Sequence, residues 1–451
     1  MFNMCRWSEC VGLLIFGANA VVFFFTCLRC DGWLSVFVGV AVRHSRARGA
    51  VESIDMYASD NPDRYDGLLR SRVEAARYWK NFNYAHVPCW LDCDPGHDDA
   101  FAMYAAGWGN WRDDDGAIVA TFELMGVSTV AGNQTIEKTT YNAARVLKWL
   151  NLDEIVPLVE GASKPLLREA KVCEEIHGES GLDTRDAIDA LPGVSDRDFQ
   201  NMKQKHAVVA VEIFETWKKL YEMDERLVIV ATGPLTNIAT FCLTYAQVIS
   251  QITHGQSHTK GPKIVFMGGA IEKGNTGSRA EFNIQCDPEA AKIVLESSFE
   301  VIMVPLEVTH TALVTADVLR RLQNASIVRT YRKRVGQITE LLDFFKMTYQ
   351  RVFGFEHPPL HDPCAVWCAL TEHVETLKRD AFTGDIERVD VECQSQLTYG
   401  QTVLDCWGTS TKPKNVKVMK RMNVEWFWKF MCAAIREHSE QCESYQYFSK
   451  N

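Results

Sequence analysis

The chain has 451 residues, of which 47% are hydrophobic and 24% charged, a composition typical of a globular protein with a sizeable core. Its formal net charge of −10, without a long basic stripe, excludes a general affinity for nucleic acid and favours a small polar substrate. The fifteen cysteines are scattered and odd in number, which indicates reduced thiols in a cytosol-like compartment.

The first 43 residues form a hydrophobic N-terminal segment that differs from the rest of the chain. An uncharged run of eighteen residues, 11–28, is just long enough to span a bilayer, and a shorter run follows at 33–42. Three interpretations stay open, namely a membrane anchor, an uncleaved signal-like segment and an extension that does not belong to the mature protein. If residues 11–42 contact a membrane, the basic patch at 43–48 would hold the following domain on the cytoplasmic side.

Residues 44–84 are polar and charge-mixed, and they are predicted to be a linker with a helical segment at 68–81. From residue 85 to residue 451, short apolar runs alternate with helical patterns. This alternation is typical of an α/β fold with a mostly parallel sheet. Strands are predicted at 87–91, 124–130, 227–230, 263–267 and 301–306. Helices are predicted at 135–149, 234–243, 287–296 and 362–371.

Each predicted strand is followed by a polar or glycine-rich cluster. These clusters read DCDPGHDD, AGNQT, ATGPLTN, GGA and EVTHT in chain order. In open α/β sheets, ligands bind beyond the carboxyl ends of the strands, so the five clusters should converge on one crevice.

The first cluster places Asp92, Asp94, Asp98 and Asp99 within eight residues. Carboxylates this close raise one another's pKa, so a cation or a shared proton is needed to keep the fold stable. An aspartate-based phosphatase could use such a cluster, but Pro95-Gly96 departs from the residues that follow its D-x-D motif. A hard cation such as calcium, which takes six to eight oxygen ligands, fits better.

The stretch DCDPGHDD resembles the D-x-D-P-G-x-D-D signature of the inosine-uridine-preferring nucleoside hydrolases. Further segments resemble motifs of that family in the same order. They are VAGNQT at 130–135, VPLVEGASKPL at 156–166, IHGESGLD at 176–183, ATGPLTN at 231–237, MGGA and GNTGSRAEFNIQCDPEAA between 267 and 291, HDPCAV at 361–366, and YGQTVLD at 399–405, which resembles the C-terminal strand.

This resemblance extends from about residue 87 to the end of the chain. It implies a single large Rossmann-like domain with a mostly parallel central sheet flanked by helices. It also implies calcium-dependent hydrolysis of the N-glycosidic bond of ribonucleosides to free base and ribose, of the purine salvage type. A homo-oligomer, either a dimer or a tetramer, is expected. With the N-terminal segment, this predicts a cytoplasmic catalytic domain that is either free or membrane-anchored.

The resemblance further implies a calcium site made by Asp94, Asp99, Asp362 and the Thr232 carbonyl, with Asp92 as a supporting carboxylate. Asp94 would also be the base for the attacking water, and His361 would activate the leaving base. Taken alone, the sequence around Asp362, His361-Asp362-Pro363, also fits a simple helix N-cap.

Substrate residues follow from the same resemblance. Asp98, Asn133 and Asn283 match positions at the ribose 2'- and 3'-hydroxyls, and Asn275 and Glu281 match those at the 5'-hydroxyl. Met267, Phe282 and Tyr349 are assigned to the substrate pocket. Phe345 and Tyr349 are one helical turn apart, a spacing that is more often core packing than a binding wall. His177, Met267 and His310 also match family positions near the pocket, and a structural role is at least as common for each. A catalytically silent nucleoside- or calcium-binding protein is the alternative, and the intact set of matched positions counts against it.

Overall fold

The computed structural model describes residues 84–185, 190–203, 207–326, 328 and 331–449, together with three strands near the N terminus. The chain divides into two units, Met1–Ser71 and Arg72–Asn451. In the first unit the strands pair antiparallel in chain order. They are β1 (Val11–Phe16), β2 (Ala20–Leu28) and β3 (Leu34–Val42). Within the described residues, no helix is both long and apolar enough to cross a bilayer. The predicted linker lies outside the described residues, apart from Tyr84.

A nine-stranded sheet organises the second unit. Its strands are β4 (Ala85–Cys93), β5 (Asn110–Arg112), β6 (Ile118–Thr129), β7 (Leu158–Glu160), β8 (Val228–Ala231), β9 (Lys263–Met267), β10 (Glu300–Val304), β11 (Phe382–Glu387) and β14 (Val416–Met422). The order is β11-β14-β10-β9-β8-β4-β6-β5, and β7 also pairs with β6. Only β5 and β11 run antiparallel to their neighbours. The predicted α/β fold with a mostly parallel sheet is therefore confirmed, and the five predicted strands are neighbours in it.

Helices flank this sheet. They are α1 (His97–Trp108), α2 (Ile136–Trp149), α3 (Glu174–His177), α4 (Asp196–Met202), α5 (Val209–Tyr221), α6 (Thr236–Ile252), α7 (Ser257–Lys260), α8 (Phe282–Cys286), α9 (Pro288–Leu295), α10 (Leu306–Thr309), α11 (Ala316–Gln323), α12 (Arg332–Phe353), α13 (Asp362–His373), α14 (Glu375–Ala381) and α15 (Val424–Ser449). The four predicted helices correspond to α2, α6, α9 and α13. At α9 the Asp287 side chain accepts a hydrogen bond from the Ala290 amide and Pro288 follows, as the sequence predicts for an N-cap.

The central strand β4 is buried on both faces from Val87 to Cys93, which explains its nearly continuous apolar sequence. Its neighbour β6 accommodates Trp90 with Gly126, because a Cβ atom there would lie 2.5 Å from the Trp90 ring. The pairing register of the two strands shifts between Cys89 and Trp90. This packing fixes the end of β4, where the acidic cluster begins.

The segment YGQTVLD does not provide the last strand of the sheet. It contains β13 (Thr402–Leu404), which pairs antiparallel with β12 (Val389–Val391) in a separate two-stranded ribbon. The C-terminal strand of the central sheet is β14 instead. Thr402 Oγ1 accepts a hydrogen bond from the Ala270 amide at 3.0 Å, so the ribbon supports the loop that follows β9.

Candidate active site

The acidic cluster lies where β4 ends and α1 begins. Asp92 lies at the end of β4, Asp94 follows the last residue of the strand, and Asp98 and Asp99 belong to the first turn of the helix. Gly96 joins them, and a Cβ atom at this position would lie 2.4 Å from His177 Nδ1. The Gly96 amide donates to Asp99 Oδ2 at 3.0 Å, which holds the turn closed. Packing and capping thus bring the carboxylates together in a nearly water-free place.

Three carboxylates converge on one point. Asp98, Asp99 and Asp362 each offer an oxygen that lies within 4.8 Å of the other two. Asp362 arrives from the far end of the chain as the first residue of α13, whose N-cap is His361 and has no side-chain capping bond. The interpretation of Asp362 as a helix N-cap is therefore wrong, because the residue lies inside the helix and its carboxylate faces the cluster.

Asp94 lies beside this group, and only one of its two carboxylate oxygens accepts a hydrogen bond. Its Oδ2 accepts a hydrogen bond from the Asn133 amide at 2.7 Å, whereas Oδ1 is buried without a hydrogen-bond partner among the described residues. Thr232 completes the predicted set: its hydroxyl donates to Asp99 Oδ1 at 2.8 Å, and its carbonyl accepts from Asn283 Nδ2 at 2.8 Å.

Asp92 is placed differently. It is fully buried, and its Oδ1 accepts hydrogen bonds from the Ser128 hydroxyl and, at 2.8 Å, from Asn237 Nδ2. It does not line the cavity above the cluster. A phosphatase nucleophile must reach its substrate, so the phosphatase interpretation of Asp92 is wrong.

Burial dominates the electrostatics of the cluster. It raises the pKa of Asp92 and of Asp98 to about 7. Burial also raises the pKa of Asp94 and Asp362 well above the usual range, and neighbouring carboxylates add to the effect. A cation would remove this repulsion. The all-oxygen donor set and the unpartnered Asp94 Oδ1 fit a hard cation such as calcium.

A cavity of about 380 Å³ opens above the carboxylates, within the range of roughly 300–1,000 Å³ typical of small-molecule sites. The predicted residues that line it are Asp98, Asn133, Thr232, Met267, Asn275, Glu281, Phe282, Asn283, Tyr349, His361 and Asp362, together with His177. Asp94 and Asp99 are not lining residues, but each accepts a hydrogen bond from one: Asp94 from the Asn133 amide and Asp99 from the Thr232 hydroxyl.

One wall of the cavity is built around Glu281, the N-cap of α8. Its two oxygens accept hydrogen bonds from the Asn283 amide at 2.9 Å and from the Gly269 amide at 2.9 Å. Burial raises its pKa. Asn275 joins the same wall, because its Oδ1 accepts from the Phe282 amide at 2.9 Å. These bonds keep the polar groups of the wall in fixed positions.

His361 lies on another wall, between two hydroxyl groups. Its Nε2 is 2.8 Å from the Tyr349 hydroxyl and its Nδ1 is 2.7 Å from Thr309 Oγ1. Burial, with a smaller contribution from His310, lowers the pKa of His361 well below its usual range. The imidazole is therefore neutral near pH 7, and each of its nitrogens has a partner. Sequence reasoning missed Thr309, although it lies in the polar cluster EVTHT.

Phe345 and Tyr349 have different surroundings although they are one turn apart on α12. Tyr349 lines the cavity, whereas Phe345 is fully buried and its ring stacks against those of His97 and His177. Phe345 therefore supports the wall from behind. Phe353, one turn beyond Tyr349, lines the cavity and was not predicted.

Comparisons with known proteins agree with this geometry. The family model "Inosine-uridine preferring nucleoside hydrolase" matches residues 89–429. A "Probable ribonucleoside hydrolase" of Dictyostelium discoideum is 37% identical over 80% of this chain and 97% of its own length. A "Pyrimidine-specific ribonucleoside hydrolase RihA" of Shewanella sp. (strain MR-7) is 40% identical over 74% of this chain and 91% of its own.

Solved structures share the fold. "Inosine-Guanosine Nucleoside Hydrolase (IG-NH)" superposes with a TM-score of 0.61 at 25% identity, covering 78% of this chain and 99% of that one. Fold, cavity and relatives together define a ribonucleoside hydrolase, an enzyme that acts on N-glycosyl bonds. The chain belongs to the inosine-uridine preferring nucleoside hydrolase family, which confirms the resemblance seen in the sequence.

Proposed function

We propose that this enzyme hydrolyses ribonucleosides to free base and ribose in a calcium-dependent reaction. The observation that carries the proposal is the position of the cavity directly above buried carboxylates that cannot all be charged without a cation. Release of ribose from inosine and uridine, measured as reducing sugar, tests the activity. A catalytically silent binding protein would bind nucleoside and release no ribose.

The sequence resemblance and the similar proteins favour different bases. The sequence resemblance predicts purine salvage, whereas the relatives from Shewanella are named pyrimidine-specific. The cavity wall offers Tyr349 and Phe353, and aromatic faces accept either kind of base. The ratio of kcat/KM for inosine to that for uridine decides between the two, and a ratio above 1 supports the purine assignment.

Asp94, Asp99, Asp362 and the Thr232 carbonyl would hold the calcium ion. When bound, calcium supplies positive charge that offsets the carboxylate repulsion and makes a neighbouring water more acidic. Among the carboxylates of the cluster, Asp94 suits the role of base because Asn133 fixes one oxygen and leaves the other free to accept a proton.

The reaction itself is a displacement by water. Water loses a proton to Asp94 and its oxygen forms a bond to the anomeric carbon while the bond from that carbon to the base nitrogen breaks. Positive charge develops on the sugar in the transition state, and the surrounding carboxylates stabilise it. The departing base takes up a proton, so no covalent enzyme intermediate is needed.

Asp98 is proposed to bind the ribose 2'- and 3'-hydroxyls, together with Asn133 and Asn283. Replacing Asp98 by alanine is expected to reduce the preference for inosine over 2'-deoxyinosine by at least about tenfold, because a site that bonds a hydroxyl rejects substrates that lack it. The measurement is kcat/KM for both substrates. Calcium affinity is measured on the same variant, because Asp98 also belongs to the carboxylate cluster. An unchanged preference would remove Asp98 from the ribose site.

His361 is proposed to assist the leaving base, in contact with the Tyr349 hydroxyl. Because the imidazole is neutral near pH 7, its assistance is hydrogen bonding together with the Tyr349 hydroxyl. We expect His361→Ala to slow hydrolysis of inosine by about 10- to 100-fold, the worth of a hydrogen bond to a group that becomes charged. A riboside with p-nitrophenolate as leaving group departs without a proton and should slow far less. Tyr349→Phe, which keeps the ring, shows whether the hydroxyl takes part.

Asp362 adjoins His361, so calcium binding is measured on the His361→Ala variant as well. With calcium affinity intact, an equal slowing of both substrates would mean that the proton comes from another group.

A further inference from the structure

The outer face of helix α6 carries no charge. None of the 17 residues of α6 is Asp, Glu, Lys or Arg, although 24% of the residues in the chain are charged. A surface helix that faces only water normally has charged residues on its outer face. The exposed residues of α6, which we call the α6 stripe, are Thr240, Leu243, Thr244, Gln247, Val248 and Gln251. Depletion of charge is typical of a surface that packs against another protein chain.

The α6 stripe is more apolar than its composition indicates. Thr240 Oγ1 donates to the Thr236 carbonyl at 3.0 Å, and Thr244 Oγ1 donates to the Thr240 carbonyl at 2.7 Å. Both hydroxyl protons are therefore used within the helix itself. Leu243 is 67% exposed and Val248 is 38% exposed. The stripe thus combines two aliphatic side chains with two glutamine amides, each of which both donates and accepts hydrogen bonds.

An aromatic pair connects the α6 stripe to the neighbouring helix α5. Phe214 of α5 stacks on Tyr245 of α6 with ring centres 4.2 Å apart, and both residues are half-buried. Val211 lies one turn before Phe214, Val248 lies one turn after Tyr245, and both valines are exposed. The two helices therefore present one continuous apolar band at the surface.

The α6 stripe is complementary to itself when two copies of the helix pack antiparallel. A two-fold axis at the midpoint between Tyr245 and Ala246 brings its six residues into facing pairs, with one member of each pair from either copy. These pairs are Leu243 with Val248, Thr244 with Gln247, and Thr240 with Gln251. Aliphatic side chains then face aliphatic side chains, and each glutamine amide faces a threonine.

We propose that α6, with the adjacent face of α5, is the surface through which two copies of this chain form a two-fold symmetric dimer. Two chains that each carry a formal net charge of −10 repel each other, and this repulsion costs least where the facing surfaces are uncharged. The pairing of the stripe with itself favours a second copy over an unrelated protein.

The size of this surface indicates how stable the dimer is. At 1.5 Å per residue α6 is about 25 Å long, and two adjacent helices are about 20 Å wide. Each copy would then bury about 500 Å², or about 1,000 Å² in total, which is near the lower limit for a specific interface. We therefore expect a dimer that dissociates on dilution.

Sedimentation equilibrium of the full chain measures the dissociation constant of this dimer. Leu243→Lys and Val248→Glu are each expected to raise it at least about tenfold, because each places a charge against an aliphatic side chain of the other copy. An equimolar mixture of the two variants should associate within about threefold of the native affinity. In the mixed dimer the lysine introduced at position 243 faces the glutamate introduced at position 248.

Two control variants keep the α6 stripe uncharged. Leu243→Met preserves an aliphatic side chain at the centre of the test. Leu397→Lys adds a charge at a leucine that is 77% exposed and lies outside α5 and α6. Both should leave the dissociation constant within about threefold of the native value. Sedimentation needs no substrate, so the result does not depend on the proposed function.

A native chain that sediments only as a monomer would overturn this inference. Equal association of the native chain and both charged variants would also overturn it, because another surface, such as the hydrophobic N-terminal segment, would then join the copies. Association that is lost in the single variants and not regained in their mixture would overturn the antiparallel pairing.

Discussion

Replacing Asp94 by asparagine is expected to lower kcat for inosine and uridine by about 10²- to 10⁴-fold, the range typical of removing a positioned base. Asparagine keeps the size of the side chain, and its oxygen can still accept the Asn133 amide that now bonds Oδ2. What it cannot do is take up a proton at the position of Oδ1, which has no partner in the folded protein. Steady-state kinetics at saturating nucleoside measure the effect.

Calcium affinity and the melting temperature of Asp94→Asn separate the loss of a base from the loss of a metal ligand. If the variant binds calcium as tightly as the native enzyme and kcat falls, the base role is supported. A variant that keeps more than one-tenth of the native kcat would contradict it.

Calcium is expected to raise the melting temperature more at pH 8 than at pH 6. The pKa values of Asp92 and Asp98 are raised to about 7 in the folded chain, above their ordinary value of 3.8. The folded state therefore binds more protons than the unfolded state between these values, and the calcium-free protein loses stability as pH rises through 7. A cation replaces the lost protons. At 100 times its dissociation constant, it would add about 2.7 kcal/mol to the free energy of unfolding.

Buried histidines also change the stability of the folded chain between pH 6 and pH 8. Burial lowers the pKa of His97 and His373 to about 4 and that of His438 to about 2. These groups destabilise the folded state as pH falls through the ordinary histidine value of 6.5, by the same amount with and without calcium, so their effect cancels in the calcium-induced shift.

The melting temperature is measured with calcium, with magnesium and with a chelator. Asp362→Asn is the informative variant, because it removes one of the three convergent carboxylates. It should lose the calcium response and, without calcium, be more stable at pH 8 than the native chain. A calcium shift that is equal at both pH values would contradict the account of the cluster.

The sequence was sufficient to predict the sheet, which depends on local patterns, and many of the residues that line the cavity, which follow from the family motifs. The five central strands are apolar runs that end in polar clusters, and the carboxyl ends of parallel strands lie at one edge. Asp362 shows the limit of such patterns. Its neighbour Pro363 has the form of a helix start, and only the packing of α13 against α1 brings the Asp362 carboxylate to Asp98 and Asp99.

The remaining parts depend on contacts between segments that are distant in sequence. Phe345 and Tyr349 lie one turn apart on the same helix, and contacts with distant residues distinguish them: Phe345 stacks on the rings of His97 and His177, whereas Tyr349 contacts His361 at the cavity. Likewise, nothing in the local sequence of β12 and β13 indicates that they form a separate ribbon instead of joining the central sheet.

The long sequence separation within the carboxylate cluster has a consequence for folding kinetics. Asp98 and Asp362 are 264 positions apart (362 minus 98), so the cation site exists only after most of the sheet and its helices have assembled. Contacts of such high separation form late, because the entropy of closing the intervening chain opposes them. If calcium binds this cluster as proposed, it would therefore have little to bind in the folding transition state. It would slow unfolding and lengthen the lifetime of the native enzyme without helping the chain to reach the native state.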